Sequence, residues 1–245
     1  VGGDGTINEV VNGFFEDGKP VSERAALGVI PRGTGGDFRK SFGWSTDLKE
    51  AAARLKGEGT RPLDVGRVSF TTNEGGESAR YFANIASLGV SGQVDYEVNH
   101  SSKALGGKLS FALGSLKAML KYNDCRVRMS LDDKPAHEVL VTTLAVANGQ
   151  YFGGGMWVAP DAKPDDGEFD ITLWSGYRLK DFVLKANAMY TGGHVNLPGT
   201  TRYRARKVKA EPCDNQAVLL DIDGEQPGRL PALFEILPGA LRLKV

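Results

Sequence analysis

Two short stretches of this chain combine glycine, threonine and aspartate in a way that suits anion chemistry. Gly2-Gly3-Asp4-Gly5-Thr6 runs directly into Ile7-Asn8-Glu9-Val10, and Pro31-Arg32-Gly33-Thr34-Gly35-Gly36-Asp37 follows the apolar run Ala26 to Ile30. Glycines let backbone N–H groups approach a ligand closely, and a helix N-terminus adds a positive partial charge; together these make a phosphate site. In open α/β sheets the C-terminal ends of neighbouring parallel strands face one crevice. Two such loops converging there would cradle a polyphosphate, with Asp4 and Asp37 available to hold Mg²⁺ directly or through water. For either loop alone, a tight turn with nothing bound is the plain alternative. Neither loop is a Walker A sequence, and neither has the glycine spacing of a dinucleotide fold, so both of those classes are excluded.

The elements that must position these loops alternate between helix and strand over the first sixty residues. Thr6-Ile7-Asn8-Glu9 has the spacing of a capping box, and Ile7, Val10, Val11 and Phe14 recur at helical spacing, with Gly18 as a stop. Ala26 to Ile30 reads as a short buried parallel strand. Thr46 or Asp47 caps a helix that runs to Leu55 and stops at Gly57. After Pro62 the pattern becomes strand-rich: Leu63 to Phe70, Ala79 to Ser87, Cys125 to Leu131, Glu138 to Ala147, Glu168 to Trp174, Tyr203 to Ala210 and Gln216 to Ile222. Helices over Lys103 to Tyr122 and Leu179 to Tyr190 interrupt it. The expected fold is α/β: a partial Rossmann-like nucleotide-binding domain over residues 1–62, then a β-rich, sandwich-like domain over 63–245 that holds the substrate.

Composition narrows the function classes. The chain has 245 residues, enough for a proper core, and 41% apolar with 24% charged residues marks an ordinary globular protein. Thirty basic side chains balance thirty acidic ones, which argues against nucleic acid as a partner. Cys125 and Cys213 lie far apart without metal-ligand spacing, so a reduced, cytoplasmic protein is expected, and His100, His137 and His194 suggest no triad. Of the 32 glycines, ten fall in the first 43 residues, against an average of about 7% along a chain, which places the demand for close backbone approach in the two loops.

Taken together, Gly2-Gly3-Asp4-Gly5-Thr6-Ile7-Asn8-Glu9-Val10 and Pro31-x-Gly33-Thr34-x-x-Asp37 resemble the catalytic domain of the diacylglycerol kinase, sphingosine kinase and bacterial lipid kinase family. Three later segments extend the likeness in family order: Asn148-Gly149-x-Tyr151-Phe152-Gly153-Gly154-Gly155-Met156, then Ala159-Pro160-x-Ala162-x-x-Asp165-Asp166-Gly167, and finally Asp223-Gly224-Glu225 with Leu237-Pro238-Gly239-Ala240-Leu241. The resemblance implies an ATP-dependent kinase that transfers a γ-phosphoryl group to the hydroxyl of a diacylglycerol- or sphingosine-like membrane lipid. It implies that the stretch Gly2, Gly3, Asp4, Gly5, Thr6, Ile7 and Asn8, with Gly33, Thr34 and Asp37, binds the ATP phosphates.

On the same basis Asp223 is the general base, supported by Glu225. Asp166 gives its carboxylate, and Lys163 and Glu168 their backbone carbonyls, to a structural Mg²⁺ linked through water to Asp4, Asp37 and Asp64. By themselves, Asp223 would read as a turn aspartate after a strand, Asp64 as a strand-edge turn, and Asp165-Asp166-Gly167 as a hairpin turn. The family usually has asparagine where Gly36 stands, which removes an amide near the phosphates. NAD kinase, which shares the Gly-Gly-Asp-Gly-Thr turn, is the rival enzyme, and a non-catalytic nucleotide- or lipid-binding relative is the rival from another class.

Peripheral contact with a membrane is also expected. Leu105, Leu109, Leu113, Leu116 and Leu120 share one face of the helix from Lys103 to Tyr122, which suits either a membrane surface or a core. Arg202, Arg204, Arg206, Lys207 and Lys209 form the densest basic run, which suits either an anionic leaflet or a solvated strand face. A phosphate loop should follow a strand, yet only Val1 precedes Gly2. The expectation is that a βαβ portion of roughly 30 to 60 residues belongs before it, and that the chain as given binds ATP weakly.

Overall fold

A computed structural model describes residues 1–22, 24–100, 117–120 and 122–245. At its start, Gly2 bridges Pro31 in parallel: Gly2 N–H donates to Ile30 O at 3.1 Å and Arg32 N–H to Gly2 O at 2.8 Å. The two glycine loops are therefore neighbours at the C-terminal ends of adjacent parallel segments. The helix Asp4–Gly13 begins two residues on, capped by Gly3 without any side-chain bond, so Thr6 lies inside it and the expected capping box is not formed. It ends at Phe14 rather than Gly18, which instead turns the small hairpin Phe15–Glu16/Lys19–Pro20. The helix Leu48–Lys56 follows expectation, with Asp47 accepting from the N–H groups of Lys49 and Glu50 and Gly57 at its end.

Two antiparallel sheets carry the rest. One has five strands in the order Thr200–Ala205, Phe169–Trp174, Thr143–Ala147, Ile85–Gly89 and Leu220–Ile222. The other joins Glu77–Phe82, Thr60–Thr72, Gly228–Lys244, Lys207–Pro212, Cys125–Leu131 and His137–Val141. Phe70, Phe82, Met129, Val146, Phe169 and Phe234 pack between them as one core, so the layers form a sandwich. A second core joins Ile7, Val11, Val29 and Phe38 to Leu63, Val65, Leu241 and Leu243, and thus seats the phosphate loops on the ends of the two longest strands. Ala26–Leu27 adds to that sheet in parallel beside Arg242 and Leu243.

Several expected strands are each two. Ala79 to Ser87 breaks at Ala83-Asn84, Glu138 to Ala147 at Thr142, and Tyr203 to Ala210 at Arg206, because the chain passes from one sheet to the other there. The helix expected over Leu179 to Tyr190 is split at Lys185 into Leu179–Leu184 and Ala186–Thr191. Most of the Lys103 to Tyr122 helix lies outside the described residues; residues 117–120 are helical. The helix Val90–His100 and the 17-residue strand Gly228–Lys244 were not expected. Proline demotes a strand reading, and Pro231 and Pro238 sit where that strand slips register against Thr60–Thr72.

Candidate active site

The phosphate loops touch through glycine. A Cβ on Gly33 would lie 2.3 Å from Gly3 Cα, and one on Gly3 would lie 2.8 Å from Gly33 Cα, so neither position accepts a side chain while the loops stay together. Asp4 fastens them: its Oδ2 accepts from Asp37 N–H at 3.1 Å and its Oδ1 from Phe38 N–H at 2.9 Å, capping the short helix Asp37–Lys40. Asp37 in turn accepts from Lys40 Nζ at 2.7 Å and from Gly154 N–H at 2.7 Å, which ties the second loop to the Gly153-Gly154-Gly155 turn. Both aspartates are thus loop clamps whose oxygens are already engaged. The first N–H groups of the helix Asp4–Gly13 have no intrahelical partner, and Gly5, Thr6 and Thr34 beside them are exposed. Gly36 has φ +60°, in the left-handed region that glycine and asparagine adopt best, which accounts for the exchange at this place.

The side chains of Ile7 and Asn8 are buried rather than exposed at the loop surface. Ile7 is core, and Asn8 is buried with its Nδ2 donating to Tyr81 O at 2.9 Å and to Asp223 Oδ2 at 3.0 Å. Asp223 stands at φ +50° just past Leu220–Ile222. Its carboxylate also accepts from Ala83 N–H at 3.2 Å and Ile85 N–H at 2.8 Å. The break between Glu77–Phe82 and Ile85–Gly89 is what frees these two donors. Burial raises the Asp223 pKa to about 7, against the pull of Asn8 and the two backbone donors, with Asp221 nearby adding to the rise. Glu225 is exposed, and the hydrogen bonds that hold Asp223 come from Asn8 and backbone instead; the Glu225 backbone closes the turn on Ile222.

The third group of expected residues lies along a different turn. Asp64 is buried; its Oδ2 accepts from Gly167 N–H and its Oδ1 from Gly239 N–H, both at 2.6 Å, so it joins the Asp165-Asp166-Gly167 turn to the bulge of the last strand. Burial raises its pKa, opposed by these two donors. Asp166 Oδ2 meets Arg204 Nη2 at 2.5 Å and its Oδ1 accepts from Glu168 N–H at 3.2 Å. Lys163, Asp166, Asp170, Arg202 and Arg204 line a cleft of about 630 Å³. Asp166 and Asp170 are the hard oxygen donors there; Asp170 Oδ2 is buried without a hydrogen-bond partner, though Arg202 and Arg204 each approach the Asp170 carboxylate to 3.6 Å. The carboxylate chemistry would suit Mg²⁺ only if Arg204 yielded Asp166. Among the described residues no three His, Cys, Asp or Glu side chains converge as a ready-made metal cluster.

One cavity of about 830 Å³ is lined by Thr34, Gly35 and Asp37 and also by Asp223 and Gly224. The phosphate loops and the Asp223 carboxylate thus face one space. Much of its remaining wall is apolar: Trp174, fully buried, meets Phe152 at 6.3 Å and Phe182 edge-on at 5.9 Å between centroids. Two carboxylates on that wall, Asp95 and Asp221, were not expected from sequence. They share a hydrogen bond, and Ser87 Oγ donates to Asp221 at 2.8 Å. Burial, then the charge of Asp221, pushes the Asp95 pKa well above its ordinary value, and burial pushes Asp221 up as well. Asp221 stands two residues before Asp223, the only local sign of it. Asp95 sits on the helix that sequence did not reveal.

The sandwich thus brings the two glycine loops and the half-buried Asp223 carboxylate to one cavity. Residues 1–68 match the diacylglycerol kinase catalytic domain, and residues 84–245 match the YegS C-terminal NAD kinase beta sandwich-like domain. The chain is 32% identical over 235 residues to a diacylglycerol kinase of Bacillus subtilis, covering 95% of this chain and 72% of that one. It is 30% identical to a diacylglycerol kinase of Staphylococcus carnosus, covering 95% and 71%. Among solved structures, a diacylglycerol kinase from Bacillus anthracis superposes with a TM-score of 0.65 at 21% identity, covering 99% and 73%. Yeast NADH kinase shares the fold at a TM-score of 0.50 and 13% identity, covering 96% and 55%. The chain belongs to the diacylglycerol kinase family, and is a kinase with an alcohol acceptor.

Proposed function

We propose that the protein phosphorylates a diacylglycerol-like lipid from MgATP, with Asp223 as general base. The observation that supports this most is the single cavity shared by Thr34, Asp223 and the Trp174 aromatic cluster. ATP phosphates lie on the glycine loops, held by N–H groups of Gly3, Gly5, Thr6 and Gly33 and by the Thr34 hydroxyl. The acceptor's acyl portion lies along Trp174, Phe152 and Phe182, with its polar head toward Asp95 and Asp221.

The acceptor hydroxyl gives its proton to Asp223 as its oxygen bonds to the γ-phosphorus. The bond from that phosphorus to the β–γ bridging oxygen breaks, and ADP leaves with the electron pair. Such a transfer depends mostly on positioning and charge neutralisation. A base with a pKa near 7 is matched to neutral pH. Asn8 is a positioning residue: it fixes the Asp223 carboxylate and lowers its pKa toward the ionised form.

A structural Mg²⁺ would be held by Asp166 with the Lys163 and Glu168 carbonyls, bracing the turn that Asp64 ties to Gly239. The experiment is transfer from labelled MgATP in the presence of NAD and vesicles containing diacylglycerol. Labelled lipid is expected; labelled NADP would give the protein to the NAD kinase branch, and no product would make it a binding relative.

A further inference from the structure

His194 is fully buried, in the short turn Gly193–Asn196 between the helix Ala186–Thr191 and the strand Thr200–Ala205. A buried imidazole needs partners for both ring nitrogens, and this one has them. Trp174 Nε1 donates to His194 Nδ1 at 3.2 Å, and His194 Nε2 lies 2.9 Å from Trp157 O. An indole N–H can only donate and a carbonyl can only accept. The ring is therefore neutral, with its proton on Nε2 and the lone pair of Nδ1 turned to Trp174. Burial lowers the His194 pKa, against the pull of the Trp157 carbonyl and with the charge of Arg202 adding to the fall, which favours the same neutral ring.

The two partners belong to two pieces of one cavity wall. Trp174 ends the strand Phe169–Trp174 and lines the 830 Å³ cavity itself. Trp157 ends the hairpin Tyr151–Phe152/Met156–Trp157, whose Phe152, Gly153, Gly154 and Met156 line it too. His194 stands behind both pieces and joins them. Gly192, at φ +76°, makes the approach possible: a Cβ there would lie 3.2 Å from Trp157 Cε3 and 3.0 Å from Pro160 Cγ. The indole N–H is the one polar group of the Trp174 side chain, and His194 engages it from behind the wall. The carbon face of the ring is left to the cavity, among Phe152, Tyr177 and Phe182. A buried N–H without an acceptor is costly, so without His194 the indole would have to rotate to find one.

We infer that His194 is a positioning residue for the acceptor: it holds the Trp174 indole in the orientation that presents an unbroken apolar face to the lipid's acyl portion. This rests on the lipid-kinase reading for the nature of the acceptor. His194 acts through Trp174 and touches neither substrate. Its loss therefore weakens the fit of the lipid and leaves the nucleotide loops as they are, since Asp4, Gly33 and Asp37 are held by bonds of their own.

The test is transfer from labelled MgATP to diacylglycerol in phosphatidylcholine vesicles, with KM measured for each substrate. His194→Leu leaves the Trp174 N–H and the Trp157 carbonyl without a partner. It is expected to lower kcat/KM for diacylglycerol about tenfold, chiefly through KM, with KM for ATP within about twofold of wild type. His194→Asn keeps an acceptor near the place of Nδ1 and should recover most of the loss. His194→Gln reaches toward the Trp157 carbonyl instead and should recover little. In a Trp174→Phe background, which has no N–H to hold, His194→Leu should cost less than about threefold. By NMR hydrogen exchange, the Trp174 indole N–H should exchange slowly in wild type and His194→Asn, and quickly in His194→Gln. An equal cost of His194→Leu in both backgrounds, a KM for ATP that rises in step, or equal rates for the Asn and Gln variants would overturn the inference. So would an indole N–H that exchanges as fast in wild type as in His194→Gln. If the Leu variant fails to fold, the Asn and Gln variants decide by the same comparison. No labelled lipid from wild type, with the indole N–H protected only while residue 194 offers an acceptor, would keep the positioning of Trp174 and reject the lipid acceptor.

Discussion

The two working parts of the cavity are built in opposite ways. The part proposed for the phosphates is mostly backbone: Gly3 against Gly33 with no room for a side chain, N–H groups at a helix start, and two aspartates that clamp the loops. The acceptor part is mostly side chains: Asp223 in a three-donor cradle, Asp95 with Asp221, and rings around Trp174. Backbone chemistry tolerates no added atoms but needs no particular acid strength. Side-chain chemistry depends on burial, which sets how strongly each carboxyl holds its proton.

The largest effect is expected where the side-chain part does the bond chemistry. Asp223→Asn should lower kcat by about a thousand-fold, the span of general-base catalysis, with an unchanged circular dichroism spectrum. Retention of even a tenth of the rate would move the base elsewhere. The backbone part comes next. Gly33→Ala would push the loops apart by about 1 Å and should lower kcat/KM by roughly a hundred-fold, whereas the same exchange at exposed Gly5, where a Cβ meets nothing, should be mild.

Asn8 joins the two parts, so its loss tests whether it belongs to the phosphate loop or to the base. Asn8→Ala removes a donor to the ionised carboxylate. The acid limb of the rate should then move up by about one pH unit, with a roughly fivefold loss at neutral pH and about tenfold well below it. A raised KM for ATP at an unmoved limb would return Asn8 to the loop. The smallest effect concerns capping. Thr6→Ala should change the stability by less than about 0.5 kcal/mol, because Thr6 lies inside its helix, while Asp47→Ala should cost about 1 kcal/mol in thermal unfolding.

The same contrast explains what sequence made legible. Glycine loops announce themselves because the constraint is local: Gly2 to Thr6 and Gly33 to Asp37 carry it in consecutive residues. The sandwich was visible in strand-length apolar runs, though not the breaks at Ala83-Asn84 and Arg206, where the chain changes sheets without a proline or glycine to mark it. The acceptor part was mostly hidden. Trp174 and Asp221 lie on strands of the five-stranded sheet and Asp95 on the helix that follows Ile85–Gly89, so residues far apart in the chain meet, and nothing local distinguishes Asp95 from a surface aspartate. Asn8 stands in the loop motif, and nothing local shows that its amide donates to Asp223.

The pH dependence of kcat/KM for phosphoryl transfer to diacylglycerol tests the central claim most directly. Asp223 must be ionised to take the proton, and burial has raised its pKa to about 7. The rate should therefore rise with pH through neutrality, fall about tenfold per unit on the acid side, and lose that limb in Asp223→Asn. A rate that stays level well below pH 7, or an acid limb that survives in Asp223→Asn, would contradict it.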